Sequence, residues 1–162
     1  MSEGRNNWKY TKLRPHMPVP FFLDMLMNWD DYRELTKTEV AYRVLLPIQV
    51  GRARFLGFEN EERCVYTVTR LPKDPMLAML RHGPGPATWA VYPGGILWVV
   101  DVVTTPGVSA FRYAPAIIQS LYDEGLAVEG ESVCWVRAKT GRVCRARVQN
   151  YRPPEAAVAL RA

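Results

Sequence analysis

The sequence predicts a mixed α/β domain, in which a central mixed β-sheet is flanked by helices and preceded by an extended N-terminal arm. Three observations carry this expectation. The apolar residues recur with a helical period between residues 21 and 47, then alternate with a period of two in 52–71 and again in 132–150. The segment "ILWVVDVVTTPG", residues 96–107, reads as a buried strand. A helical pattern and another strand follow it, the order of a parallel crossover within a mixed sheet. The chain has 162 residues, of which 48% are hydrophobic and 23% charged. That is enough for one domain with a proper core.

Each element follows from its local chemistry. Residues 1–20 form the arm, where "RPHMPVP" places three prolines in seven residues and favours an extended chain. Trp8 and Tyr10 are unusual in a disordered tail, which suggests that the arm packs on something. The domain proper spans 21–152. "FFLDMLMNW" predicts a short apolar helix, and "DDYRELTKTEVAYRVLLP" a second, with Asp30 or Asp31 as N-cap and Pro47 near its end. "RARFLGF", "ENEE" and "RCVYTVTRL" read as strand, turn and strand. "DPMLAMLRH" predicts a helix capped by Asp74 with Pro75 at its first position. "GPGPATWAVYPGG" reads as a loop. The helix of "AFRYAPAIIQSLYDEG" should stop at Gly125, with Pro115 marking either its true first turn or a kink. "SVCWVRA", "KTG" and "RVCRARVQN" form a second hairpin, and residues 153–162 a tail.

The bulk properties exclude several classes. No apolar run approaches the roughly 20 residues that span a bilayer, so no membrane span is expected. The N-terminus lacks the apolar core of a signal peptide, which points to a bacterial or host cytoplasm or to the interior of a phage particle. Cys64, Cys134 and Cys144 have neither disulfide-framework nor zinc spacing. They read as core thiols, with Cys134 and Cys144 on neighbouring strands, and no metal site is expected. The net charge of +5 is concentrated at the two ends. Arg142, Arg145 and Arg147 lie in an acid-free stretch suited to an acidic partner, to nucleic acid, or only to solvent.

Asp101 is the residue that demands an explanation. It interrupts a run in which seven of the first eight residues are apolar. A buried carboxylate must be paired, hydrogen-bonded or neutral. Two readings stand side by side: a general acid or base in a cleft, and a structural aspartate held by an arginine or a backbone group.

Chains of this size and element order include the N-acetyltransferase-like (GNAT-like) fold. At Asp101 the sequence resembles a more specific family. "WVVDVVTTPG", with Trp98, Asp101 and Gly107, is similar to the signature strand and turn of the bacterial RTX toxin-activating lysine acyltransferases. "VLLPIQVG" resembles that family's leucine-proline helix end, "RARFLGFENEERCVYTVTRL" its first hairpin, and "VRAKTGRV" its later arginine strand. The likeness covers roughly residues 35–150. It implies transfer of a fatty acyl group from acyl carrier protein to a lysine of a protein substrate, with no covalently bound cofactor. In the family a histidine near the start of the helix works with the strand aspartate. Counting back from Pro47, that place falls near Arg33, where no histidine stands; the chain's two histidines are His16 and His82.

Three expectations follow. In an acyltransferase, Asp101 is the acid/base residue, the amides of Gly107, Val108 and Ser109 hold donor phosphate or the oxyanion, and Arg142, Arg145 and Arg147 dock the acidic carrier. In a non-catalytic assembly subunit of a large complex such as a phage virion, the same fold persists and the arm lies on neighbouring subunits. In a nucleic-acid binder, those arginines act with Trp135 or Tyr151, and binding falls steeply with salt.

Overall fold

The computed structural model describes residues 10–12, 35–58, 63–104, 107, 110–137 and 140–149. The expected helix "FFLDMLMNW", most of the arm, Tyr151 and the 153–162 tail lie outside them. Six strands form one sheet in sequence order: β1 (Tyr10–Lys12), β2 (Ala53–Phe58), β3 (Arg63–Leu71), β4 (Ile96–Thr104), β5 (Ser132–Val136) and β6 (Val143–Arg147). All neighbours are antiparallel except β4 and β5, which run parallel. The sheet is therefore mixed, as the strand–helix–strand order predicts, and the α/β class holds. Tyr10, Thr11 and Lys12, within the expected arm, pair with β2 of their own domain.

Four α-helical segments are described. α1 (Lys37–Val40) runs through a π-helical turn, Ala41–Leu45, into α2 (Leu46–Gln49). α1 opens at Thr36, which supplies a capping box: its hydroxyl accepts from the Glu39 N–H at 3.2 Å and Glu39 reaches back to the Thr36 N–H, while Asp30 and Asp31, the expected N-caps, lie outside the described residues. α3 (Lys73–His82) begins after Pro72, so Asp74 sits in the first turn and is not the cap. A 3-10 turn, Pro86–Trp89, follows. A second 3-10 turn, Ala110–Tyr113, leads into α4 (Ala114–Asp123), whose first turn contains Pro115. Pro115 thus marks a true helix start, where its missing N–H costs nothing. Gly125 takes φ +76° just beyond α4, as expected for a residue that ends a helix.

The sheet is covered on both faces. On one, α4 lays Ala116, Ile117 and Leu121 against Tyr66, Leu97 and Val133. The Tyr66 hydroxyl donates to Ser120 Oγ at 3.1 Å, which satisfies the one polar atom this tyrosine buries. On the other face, Met79 of α3 packs with Leu71, Trp98 and Cys134. Two ion pairs tie α4 and its exit to the strands: Arg54 of β2 with Glu124 at 2.9 Å, and Arg70 of β3 with Glu131. Cys134 lies opposite Arg145 and Cys144 opposite Trp135, so the two thiols project to opposite faces of the sheet. Among the described residues no helix is long and apolar enough to cross a membrane.

Candidate functional site

The site is built on an irregularity of β4. Val68 pairs with Val99 and Thr67 with Asp101, leaving Val100 as an extra residue between them. Such a bulge re-aims the side chains that follow it. Its consequence is that Asp101 shares a face with Thr67, whose hydroxyl accepts the Asp101 N–H at 3.2 Å. The ladder to β5 ends at the same level. Only Leu97–Val133 and Trp98–Cys134 are paired, and from Val99 onward β4 and β5 have no further rungs. Trp98, in the last rung, is buried, and its indole N–H has no acceptor among the described residues.

The charge on β4 is answered by Arg43. Its Nη2 donates to Asp101 Oδ1 at 2.6 Å and its Nε to Oδ2 at 3.2 Å, a two-pronged contact with the carboxylate side chain only 12% exposed. Arg43 reaches the sheet from the π-helical turn. Pro47 explains that turn: it has no N–H, and in a regular α-helix its ring would collide with the Arg43 carbonyl. The chain inserts a residue instead, and the Leu46 N–H bonds to the Ala41 carbonyl. In this register Tyr42 O would look to Pro47 for a donor. Trp89 supplies one, its Nε1 donating to Tyr42 O at 2.6 Å.

Trp89 is itself held by the sheet. The Thr69 hydroxyl donates to the carbonyl of Thr88 at 2.6 Å and accepts from Arg52 Nη1 at 3.0 Å. A closed circuit results: Thr69 on β3 to the 3-10 turn, Trp89 to the π-helical turn, Arg43 to Asp101 on β4, and Asp101 back to Thr67 on β3. Sequence reading admitted an arginine partner for Asp101 but not its identity. The available signal was Pro47, four residues after Arg43 in a helical pattern, which marks a distorted turn at that arginine.

The remaining expected residues are dispersed. Gly107 is exposed with φ +84°, and no heavy atom lies within 4 Å of where a Cβ would project. Val108, Ser109 and His16 lie outside the described residues. His82 is exposed on the last turn of α3. Arg145 and Arg147 are exposed on β6, on the same side as Val143 and Cys134, and Arg142 is exposed in the turn before them. Trp135 projects to the opposite face, into the α4 core, so it cannot act with Arg145 and Arg147 as a stacking platform. Among the described residues no group of three or more His, Cys, Asp or Glu side chains is arranged to hold a metal. No family model matches this sequence, and no curated protein matches it.

Proposed function

We propose that this chain is an acyltransferase-like domain of the N-acetyltransferase type, using the space between β4 and β5 to receive an acyl donor. The observation that carries this reading is the coincidence of three features: the bulge at Val100, the end of the β4–β5 ladder after Trp98 and Cys134, and Asp101 on the bulged strand. An extended donor arm entering there meets backbone groups that neither strand uses. The unsatisfied Trp98 indole N–H is a ready donor for an amide or thioester carbonyl. The expected donor is an acylated carrier protein and the acceptor a protein lysine. The lysine nitrogen attacks the thioester carbonyl, the carrier thiolate leaves, and an amide forms. In this reading Asp101 takes the proton from the amine, with Arg43 fixing its carboxylate, and the amides of Gly107, Val108 and Ser109 are the proposed donors to the oxyanion.

The second reading, a non-catalytic subunit of a larger assembly, has one observation in its favour. Arg43 engages Asp101 much as Arg54 engages Glu124 and Arg70 engages Glu131, and those pairs simply join elements. One experiment separates the two. The protein is incubated with carrier protein bearing a palmitoyl or myristoyl thioester, and the fate of the acyl group is followed by mass spectrometry. Loss of thioester to water or to protein lysines, reduced about 100-fold or more by Asp101→Asn, supports the enzyme. Thioester decay no faster than without the protein sinks it and leaves the assembly reading.

A further inference from the structure

The outer edge of β6 offers backbone groups beside the arginines that the acyl-transfer reading assigns to an acidic carrier, and those backbone groups have no part in that reading. The Val148 N–H donates to Glu131 O at 2.8 Å, the Val148 carbonyl accepts from Gly130 N at 2.7 Å, and the Arg142 carbonyl accepts from Arg137 N at 2.8 Å. In an antiparallel pair each residue aims its N–H and C=O to the same side, and the side alternates along the strand. Residues 142, 144, 146 and 148 therefore bond inward, toward β5. Val143, Arg145 and Arg147 aim theirs outward, and no described strand lies beyond them. The same three side chains are exposed on one face of the sheet. Arg43, Arg54 and Arg70 each bind a carboxylate, whereas Arg142, Arg145 and Arg147 pair with none of the described residues.

We propose that β6 is a docking edge for an extended acidic segment of a partner protein, which adds to the sheet as a further strand with carboxylates at alternate positions opposite Arg145 and Arg147. The backbone edge supplies affinity and the arginines select the occupant. Charge also argues against the simplest alternative, a second copy of this chain. The antiparallel register that uses all three outward residues sets Arg145 against its own counterpart, and like charges directly opposite are repulsive. The edge is thus protected from itself while remaining open to a chain of opposite charge. Nucleic acid is the less favoured occupant, because the aromatic side chain on the neighbouring strand, Trp135, faces away. This inference does not depend on acyl transfer.

The test uses the full chain without acyl donor. A short blocked peptide alternating glutamate with valine is titrated while hydrogen exchange is measured residue by residue. The proposal expects amide exchange at Val143, Arg145 and Arg147 to slow by about fivefold or more at saturation. In the charge-reversed variant Arg145→Glu/Arg147→Glu, affinity for the acidic peptide falls about tenfold or more, and a lysine–valine peptide binds in its place. Both side chains are exposed, so the fold should persist; if the reversed variant does not fold, Arg145→Ser/Arg147→Ser must show the same loss for the acidic peptide. Three results would overturn the proposal: no binding of the acidic peptide at millimolar concentration, binding without protection of those three amides, or protection by a single-stranded oligonucleotide in preference to the peptide.

Discussion

The indole Nε1 of Trp89 donates to the carbonyl of Tyr42 at 2.6 Å, filling the position in the π-helical turn that Pro47 leaves without a donor. Trp89 is buried, so removing the indole N–H leaves a carbonyl with no substitute partner at hand. Trp89→Phe should therefore destabilise the domain by about 1–3 kcal/mol in urea unfolding. In a Pro47→Ala background residue 47 regains an N–H, and the same substitution should cost about 1 kcal/mol less. Equal costs in both backgrounds would show that Trp89 acts through packing and not through the turn.

The Arg43–Asp101 pair joins that turn to the bulge of β4. Removing one partner leaves a largely buried charge uncompensated, which typically costs about 3–5 kcal/mol when burial is complete and less here, where Arg43 is 28% exposed. Arg43→Met and Asp101→Leu should each destabilise by about 2–3 kcal/mol, and the double variant by no more than about 1 kcal/mol beyond either single one. Strict additivity in thermal and urea unfolding would mean that the two side chains are held independently of each other.

The β-strands were legible in the sequence because alternation and turn chemistry are local signals. β2 with β3, and β5 with β6, pair as their patterns predict, and the parallel β4–β5 neighbours follow from the intervening α4. Asp101 was legible as an anomaly, since a carboxylate among valines must have a partner. Its partner was not: Arg43 lies 58 positions away in the sequence, on the π-helical turn. The bulge at Val100 also has no local signature, because neither glycine nor proline marks it. The start of α1 rests on the reciprocal contact of Thr36 with Glu39, a pairing whose formation depends on both side chains and not on the cap residue alone.

Gly95 has a steric reason to be a glycine. It takes φ +124°, and a Cβ there would run into the backbone of Leu71 and Pro72. That contact sits where β3 ends and β4 begins, so neither backbone can yield without disturbing the ladder between Leu71 and Ile96. Gly95→Ala should cost about 3 kcal/mol or more. Gly51 and Gly107 also have positive φ, but a Cβ at either meets nothing within 4 Å. Gly51→Ala and Gly107→Ala should cost only the backbone strain, about 1 kcal/mol each. A Gly95→Ala variant as stable as Gly107→Ala would show that the β3–β4 connection is more yielding than its geometry implies.

Alkali should expose the buried polar atoms of β3. Burial pushes the Cys64 thiol and the Tyr66 phenol well above their ordinary values, and for Tyr66 the bond to Ser120 only partly opposes it. Both groups are neutral in the fold and free to ionise once the chain unfolds. The unfolded state then holds fewer protons than the native state, so stability falls as pH rises. The contribution is intact below the unfolded thiol value near 8.5 and is lost progressively as pH climbs through it, and through the unfolded phenol value near 10, toward the raised native values. Above pH 10 the slope should approach about 2.7 kcal/mol per pH unit from these two groups together. Tyr66→Phe should halve it, and Cys64→Val combined with Tyr66→Phe should remove it. The measurement is urea unfolding at a series of pH values from 8 to 11. A double variant that retains the wild-type slope would assign the alkaline instability to groups other than these two.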